Sequence, residues 1–523
     1  MQGGSQAFNL LPVRSVYSLV SVVKARGGFN QMNRVWPTLF SVIAVAVIES
    51  SAAQDRSADA YKAAIEGAQS EYGANGLGAL TIEQLMERFS VPGVSIAVIR
   101  DFDIHWAKGY GTSDVETGKP VDAATMFQAG SISKPVAAMG VLKAVQEGVF
   151  GLDDDINDIL TSWQLDTGQF TRDRPVTPRT LTSHTSGLGD AFGFPGYDPA
   201  DPIPTVVQIL EGEPPSNTRR LFMERPPMSL MEYSGGGVTL MQLALSDARR
   251  RPFEDILRDD VLLPIGMSSS TFENPLPPAR DRNASRAHDR NGQSRGAKWH
   301  VYPEMAAAGL WTTASDLARF AIEVQKSAIG ESNKVLSRTV VQEMLTPVGV
   351  GDFAVGFGVQ KLGEGWYFGH SGDDWGFQAD LVAHKVHGYG LVIMTNSDQG
   401  YPLIQELRQR VERAYEWDSV ASPAPRRYDP PLDAIDLPTE ILDEYVGEYE
   451  SNDGSTLSIA RENGTLRWHH SQFGSAPLFA ADADRLFLLV APVEILVTRN
   501  DAGSVSGITV VQGEQREYAP KIR

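Results

Sequence analysis

The 523-residue chain contains no cysteine. That absence excludes disulfide frameworks, thiol nucleophiles, iron–sulfur clusters and cysteine zinc sites together. It does not localise the protein, because cysteine-free chains occur in every compartment. Positive charge is scarce as well: 46 Lys and Arg stand against 65 Asp and Glu, a net charge of −19. Such a surface repels nucleic acid and anionic lipid, so no nucleic-acid partner is expected. Internal repeats and low-complexity tracts are missing. Long apolar runs are missing too: Leu39–Ile48 falls well short of the roughly 20 residues that a spanning helix needs.

That short run has another reading. From Met32 the chain reads MNRVWPTLFSVIAVAVIESSAAQ, with Arg34 ahead of the apolar stretch and small residues Ser51 and Ala53 before Gln54. This is the layout of a secretory signal. Residues 1–53 are therefore expected to be a signal-peptide region, with a biological start at Met32 and cleavage after Ala53. The mature protein is then periplasmic or secreted, with no stable membrane insertion.

The remainder is 42% apolar and 21% charged, the balance of a globular protein too long for one ordinary domain. Helical spacing links Tyr61, Ala64, Ile65 and Ala68, then Ile82, Leu85, Met86 and Phe89. Strands are expected at Val94–Ile99 and Ile104–Lys108, and again at Val355–Gln360, Trp366–His370, Gln378–His384 and Gly390–Thr395. Between them, helices are expected at Ser131–Gln146, Val238–Asp247 and Pro252–Leu262, and from Thr313, whose spacing to Asp316 suits a cap. A helix at Leu403–Glu416 closes the segment. The predicted class is α+β: one antiparallel sheet flanked by helices, with a helical domain inserted, over residues 57–418. Five prolines mark residues 419–438 as a linker. Residues 439–523 alternate strand-like runs with turns and predict a small all-β, barrel-like domain.

A serine hydroxyl is a poor nucleophile until something takes its proton. Ser131-Ile-Ser-Lys134 puts a lysine one helical turn after a serine, at the head of an apolar helix. Burial and the positive end of a helix both disfavour an ammonium there, so the amine can serve as base. Alone the pair is a weak signal, equally suited to a helix cap with a solvated lysine. Tyr233-Ser-Gly235 and His370-Ser-Gly372 then follow, the second on a predicted strand edge.

These three motifs, in this order, resemble the serine β-lactamase and penicillin-binding-protein superfamily. The similarity is to its class C-like branch of D-Ala-D-Ala carboxypeptidases, D-aminopeptidases and family VIII esterases. Leu181-Thr-Ser-His-Thr-Ser-Gly-Leu188, Pro264-Ile-Gly-Met267 and the stretch from Ala308 to Leu317 support it, over residues 80–415. The resemblance implies that Ser131 forms an acyl-enzyme while Lys134 and Tyr233 shuttle its proton. It implies that His370, Ser371 and Gly372 line the substrate cleft, and that the backbone N–H groups of Ser131 and Asp373 form the oxyanion hole. Gly235 departs from the pattern, standing where lactamases and carboxypeptidases usually place an asparagine that grips the substrate amide. His370 stands where most lactamases place lysine. Both departures argue against an efficient β-lactamase.

The expectation is an exported serine hydrolase, without cofactor or metal, acting on a small-molecule ester, amide or D-amino-acid peptide. Weak β-lactamase activity is the alternative within the class, and a non-catalytic receptor or scaffold the alternative outside it. Oligomeric state stays open. His184 reads as a loop organiser. His384 and His387 flank a turn with no third metal ligand in reach by sequence, and Asp153–Asp155 lacks the glycine and final acid of a calcium loop. Trp299, Tyr302 and Trp311 suit either the cleft mouth or the core.

Overall fold

The alternating runs pair into one seven-stranded sheet: β1 (Gly93–Arg100), β2 (Asp103–Asp114), β3 (Lys119–Pro120), β4 (Gly358–Leu362), β5 (Gly365–Asp374), β6 (Phe377–His384) and β7 (Gly390–Thr395). The computed structural model describes residues 57–69, 77–189, 194–420, 435 and, with short interruptions, 437–522. The expected signal region and most of the expected linker lie outside these described residues. The strand order is β3-β2-β1-β7-β6-β5-β4, antiparallel at every step. β1 and β7 are partners, with Ile96 opposite Ile393, so strands from the two ends of the segment meet as the α+β reading requires.

Period-two alternation sends successive side chains to opposite faces of this sheet. Val94, Ile96 and Val98 join Leu391 and Ile393 in one core, against α1 (Ala58–Glu66) and α2 (Ile82–Arg88). Ala97, Ile99, Val392 and Met394 join the other, against α3 (Ser133–Gln146), α4 (Gly235–Arg249) and α5 (Ala314–Ile329). α6 (Gly400–Ala414) returns to the first core through Leu403, Leu407 and Val411. Its fully buried Arg410 pairs with Glu406 and donates to the carbonyls of Ile65, Gly67, Leu77 and Leu80. One guanidinium thereby satisfies the ends of the N-terminal helical segment, where unpaired buried carbonyls are costly.

Two boundaries differ from expectation for visible reasons. The strand expected at Val355–Gln360 starts at Gly358, because Gly356 turns at φ +89° against Pro135 and Ala138. The single helix expected over Pro252–Leu262 is instead a helix at Phe253–Leu257 and a π turn at Arg258–Leu262, followed by Leu263–Ile265. Pro264 cannot donate a helical hydrogen bond, and the backbone widens ahead of it.

In the C-terminal region a short helix absent from the sequence reading, α7 (Thr439–Tyr445), precedes eight strands. These are β8 (Gly447–Glu450), β9 (Thr456–Glu462), β10 (Thr465–His470), β11 (Gly474–Asp482), β12 (Arg485–Leu488), β13 (Val493–Arg499), β14 (Val505–Gln512) and β15 (Gln515–Pro520). Each pairs with the next, and Ile522 N–H donates back to Glu448 O at 2.8 Å, nearly closing a barrel. Tyr445, Tyr449, Leu457, Ile459 and Ile495 fill its interior. β11 and β15 were not expected. Pro477 with small neighbours, and the polar stretch Gln515–Tyr518, imitate loops in sequence.

Candidate active site

Ser131 does not open the helix. Gly130–Ile132 forms one 3-10 turn and α3 starts at Ser133. Gly130, at φ +52°, lets the chain turn that sharply. Ser133 holds the turn, donating to Gly130 O (2.6 Å) and accepting from Leu310 N–H (3.0 Å). Ser131 is left half-buried and Lys134, one turn on, is 4% exposed. A 2.9 Å hydrogen bond joins Lys134 Nζ to Ser131 Oγ, and a second, of 2.8 Å, runs from Nζ to Ala307 O. Ser234 caps α4 by accepting from Gly237 N–H at 2.8 Å, which fixes Tyr233 just ahead of the helix. Lys134 Nζ lies 4.9 Å from the centre of the Tyr233 ring. Tyr233 thus converges on the Ser131–Lys134 pair from about a hundred positions away in sequence.

The third motif arrives on β5. A Cβ on Gly372 would overlap Ala129 O, and one on Gly130 would overlap Asp373 N. The turn that carries Ser131 and the strand that carries Asp373 therefore meet backbone to backbone, an approach that only glycine permits. The backbone of Asp373 is placed beside the Ser131 turn by this contact. Ser131, Tyr233, His370, Ser371 and Asp373 all line one cleft of about 930 Å³.

His370 on the cleft wall and His184 behind Tyr233 are both held towards the neutral form. Burial, and then the charge of Lys134, push the His370 ring down to about 3. Its Nδ1 lies 2.6 Å from Ser371 O and carries the proton, leaving Nε2 as an acceptor. His184 is buried at φ +61°, with its ring centre 4.2 Å from that of Tyr233. It accepts Ser234 N–H through Nδ1 at 3.2 Å, so its proton sits on Nε2. Burial, followed by Lys134, holds it well below the usual histidine range. The expected loop organiser therefore organises the tyrosine loop in particular.

The acids behave in the opposite way. Withdrawal from bulk water inside the cleft, then the charge of Asp398, push Asp373 up to about 7, although its side chain is reachable from the cleft. Burial raises Asp374 well above the carboxylate range and takes Glu304 up to about 8. Both oxygens of both groups are buried without a hydrogen-bond partner among the described residues. Neither acid carries a mark in the sequence.

Trp299, Tyr302 and Trp311 fill core rather than line the cleft, each 8% exposed or less. Phe194, Phe353, Trp375 and Tyr401 supply its aromatic walls instead. Gly235 faces Phe194: a Cβ there would stand 2.7 Å from the Phe194 ring, which occupies the space an asparagine would need. Asp155 caps the short helix Ile156–Ile159, its side chain accepting from Asn157 N–H at 2.9 Å.

His384 and His387 do find a third ligand group, correcting the expectation that none is in reach. Asp418 brings the three sets of ligand atoms within 4.8 Å of one another. Hydrogen bonding gives the cluster another purpose. His384 Nδ1 accepts from Val386 N–H (3.1 Å) and His387 N–H (2.9 Å), so its proton is on Nε2, 3.4 Å from Asp418 Oδ2. A ring nitrogen that donates has no lone pair for a cation. Asp418 Oδ1 accepts the hydroxyls of Tyr367 and Tyr389.

A model of the beta-lactamase family matches residues 79–416, well over half of the chain. The chain belongs to the beta-lactamase family. Among relatives of this family member, penicillin-binding protein 4* of Bacillus subtilis (strain 168) is 24% identical over 462 residues, covering 83% of this chain and 96% of that protein. SurE, solved with D-Leu, superposes at a TM-score of 0.54 with 21% identity over 84% of this chain and 97% of its own. A D-amino acid amidase from Ochrobactrum anthropi SV3, solved with L-phenylalanine, superposes at 0.51 with 21% identity over 68% and 97% respectively. These structural likenesses establish the fold, which is that of the family's serine hydrolases. No helix among the described residues is long and apolar enough to cross a membrane.

Proposed function

We propose that the protein is an exported serine hydrolase that cleaves a small ester or amide, including D-amino-acid derivatives, through an acyl-enzyme on Ser131. The observation that carries this reading is the 2.9 Å hydrogen bond between Ser131 Oγ and the buried amine of Lys134, beside the ring of Tyr233. Lys134 Nζ also donates to Ala307 O, which holds the amine where it can take the serine proton. As Oγ attacks the carbonyl, that proton moves to Lys134. The oxyanion collects at the N–H groups of Ser131 and Asp373, each such donor supporting the transition state by a few kcal/mol. Collapse of this intermediate breaks the bond to the leaving group, which takes the proton by way of Tyr233. Water then attacks the acyl-enzyme, giving its proton back along the same path and releasing the acid.

His370 and Ser371 line the substrate side of the cleft in this reading. Two features weigh against efficient β-lactam hydrolysis. Phe194 fills the place of an amide-gripping side chain at Gly235, and His370 carries no charge to meet a substrate carboxylate. Similarity to an amidase keeps amides in scope beside esters. Export rests on the apolar run Leu39–Ile48 and the small residues up to Ala53.

The deciding experiment treats the mature protein and Ser131→Ala with a fluorophosphonate probe, p-nitrophenyl esters, D-amino-acid amides and nitrocefin. Labelling and turnover of an ester or amide are expected in the native protein, with a loss of at least ~10³-fold in the variant. Turnover that survives Ser131→Ala sinks the mechanism. A native protein that neither labels nor turns over any substrate leaves the receptor reading in front.

A further inference from the structure

One group beside the reacting atoms has no place in the acylation chemistry above. Asp373 supplies a backbone N–H to the proposed oxyanion hole, so its own carboxylate stands close to where negative charge develops. An ionised carboxylate there opposes the oxyanion, and more strongly as water is excluded. The side chain is nonetheless held in place. Gln378, buried on β6, donates through Nε2 to Asp373 Oδ2 at 3.4 Å. Its amide orientation is fixed because Oε1 accepts Tyr401 N–H at 2.8 Å. Among the described residues this is the carboxylate's one hydrogen bond, and the bond is long.

The neighbouring charges do not cancel it. Asp398, on the same cleft wall, is matched by its own ion pair with Arg295 and by Gly376 N–H at 2.7 Å. Its field and that of Arg290 act on Asp373 in opposite directions. His370, where a lysine would bring a cation, is neutral. The wall presents a neutral ring at His370 and, at Asp373, a carboxyl that a nearby cation would hold ionised, while Phe194, Phe353 and Trp375 keep its other sides apolar.

We propose that Asp373 is a specificity-determining residue that selects substrates carrying an ammonium group beside the scissile carbonyl. This rests on the hydrolase reading and names its substrate class: amino-acid esters or amides with a free amine. The bound ammonium pairs with the carboxylate, so the oxyanion forms beside a neutral pair instead of a lone anion. A substrate carboxylate brought to the same wall is repelled, which disfavours β-lactams and peptides held by their C-terminus.

The test measures kcat/KM for D-phenylalanine methyl ester and its N-acetyl derivative, with the L series alongside. Native protein, Asp373→Asn and Asp373→Glu are compared, each normalised to the fraction of Ser131 that a fluorophosphonate labels, so misfolded protein does not count. Native protein should favour the free amine by ~10–100-fold in one series. Asp373→Asn should bring that ratio within about fivefold, the scale of a screened charge effect, while Asp373→Glu retains the preference. Equal losses on both substrates, or a ratio unchanged in Asp373→Asn, overturn the proposal. So does a native enzyme that hydrolyses the N-acetyl ester as well as the free one, an outcome that leaves the hydrolase reading standing. A native protein that neither labels nor turns over any ester removes the hydrolase reading and this inference together.

Discussion

Strand β5 serves two clusters made of the same kinds of residue, one at each end. Near its start Tyr367 joins Tyr389, His384 and Asp418; near its end His370, Asp373 and Asp374 stand beside Ser131. Burial pushes Asp418 up, but hydroxyls from Tyr367 and Tyr389 outweigh it and hold the carboxyl below its ordinary range. At the other end, among the described residues, Asp373 has one long bond from Gln378 and no hydroxyl donor, Asp374 is buried without a partner, and the loss of water raises both. A polar cluster that closes on its own hydrogen bonds stabilises a fold, whereas one left open is available to a ligand. Residue type does not separate the two ends of β5. Satisfaction of hydrogen bonds does.

The sharpest way to break this contrast is at Gly372. Gly372→Ala drives a methyl into Ala129 O and must separate the strand from the Ser131 turn. Fluorophosphonate labelling should slow by ~10²-fold, the usual scale of a displacement of about 1 Å at a reacting centre. Overpacking should cost about 1–3 kcal/mol in denaturant melts. Labelling at the native rate would mean that the backbone contact is not needed.

A smaller and pH-dependent effect is expected at Glu304. Its carboxyl titrates at about 8 when folded and near 4.5 as an ordinary glutamate. Between those values the folded state holds a proton that the unfolded state has released, so stability falls as pH rises through the window, by up to ~1.4 kcal/mol per pH unit. Glu304→Gln cannot ionise and should flatten this decline. An identical slope in the variant, read by chemical denaturation from pH 5 to 8, would show that Glu304 is solvated.

The closed cluster gives the smallest expected change. Asp418→Ala strands the Tyr367 and Tyr389 hydroxyls and the His384 N–H, at a cost of about 1–3 kcal/mol. Labelling of Ser131 should proceed at the native rate. Slower labelling would show that the two ends of β5 are coupled and that the contrast drawn between them is too simple.

Much of the site was legible because its chemistry is written in short motifs. Ser131 and Lys134 are one turn apart, and Tyr233 and His370 carry their own local signatures. The sheet was legible for a similar reason, since Val94–Ile99 and Gly390–Thr395 are short, nearly unbroken apolar runs bounded by turn residues. What could not be read depends on distant contact. Glu304 looks like any surface acid until the fold buries it, and Asp418 becomes the partner of His384 only when α6 brings the chain back to the sheet. Phe194 lies in a loop with no pattern, yet its ring explains how a glycine is accommodated at position 235. Asp373 was read for its backbone alone, and the environment of its side chain is a tertiary property. β11 and β15 escaped because Pro477 with its small neighbours and the polar run Gln515–Glu517 look like loops in sequence, and their pairing comes from neighbouring strands.

The pairing of β1 with β7 has a consequence for how the molecule is made. The two strands at the centre of the sheet lie on opposite sides of the whole helical insertion, so the sheet has no middle until nearly all of the hydrolase segment has left the ribosome. Contacts between such distant positions form slowly, because a long loop must close before they contribute anything. Arg410 adds to the delay, since its carbonyl partners lie at the opposite end of the segment. For the export proposed here, slow closure is an advantage. A chain whose centre cannot assemble early remains extended for longer, the form in which it can be threaded through a translocation channel.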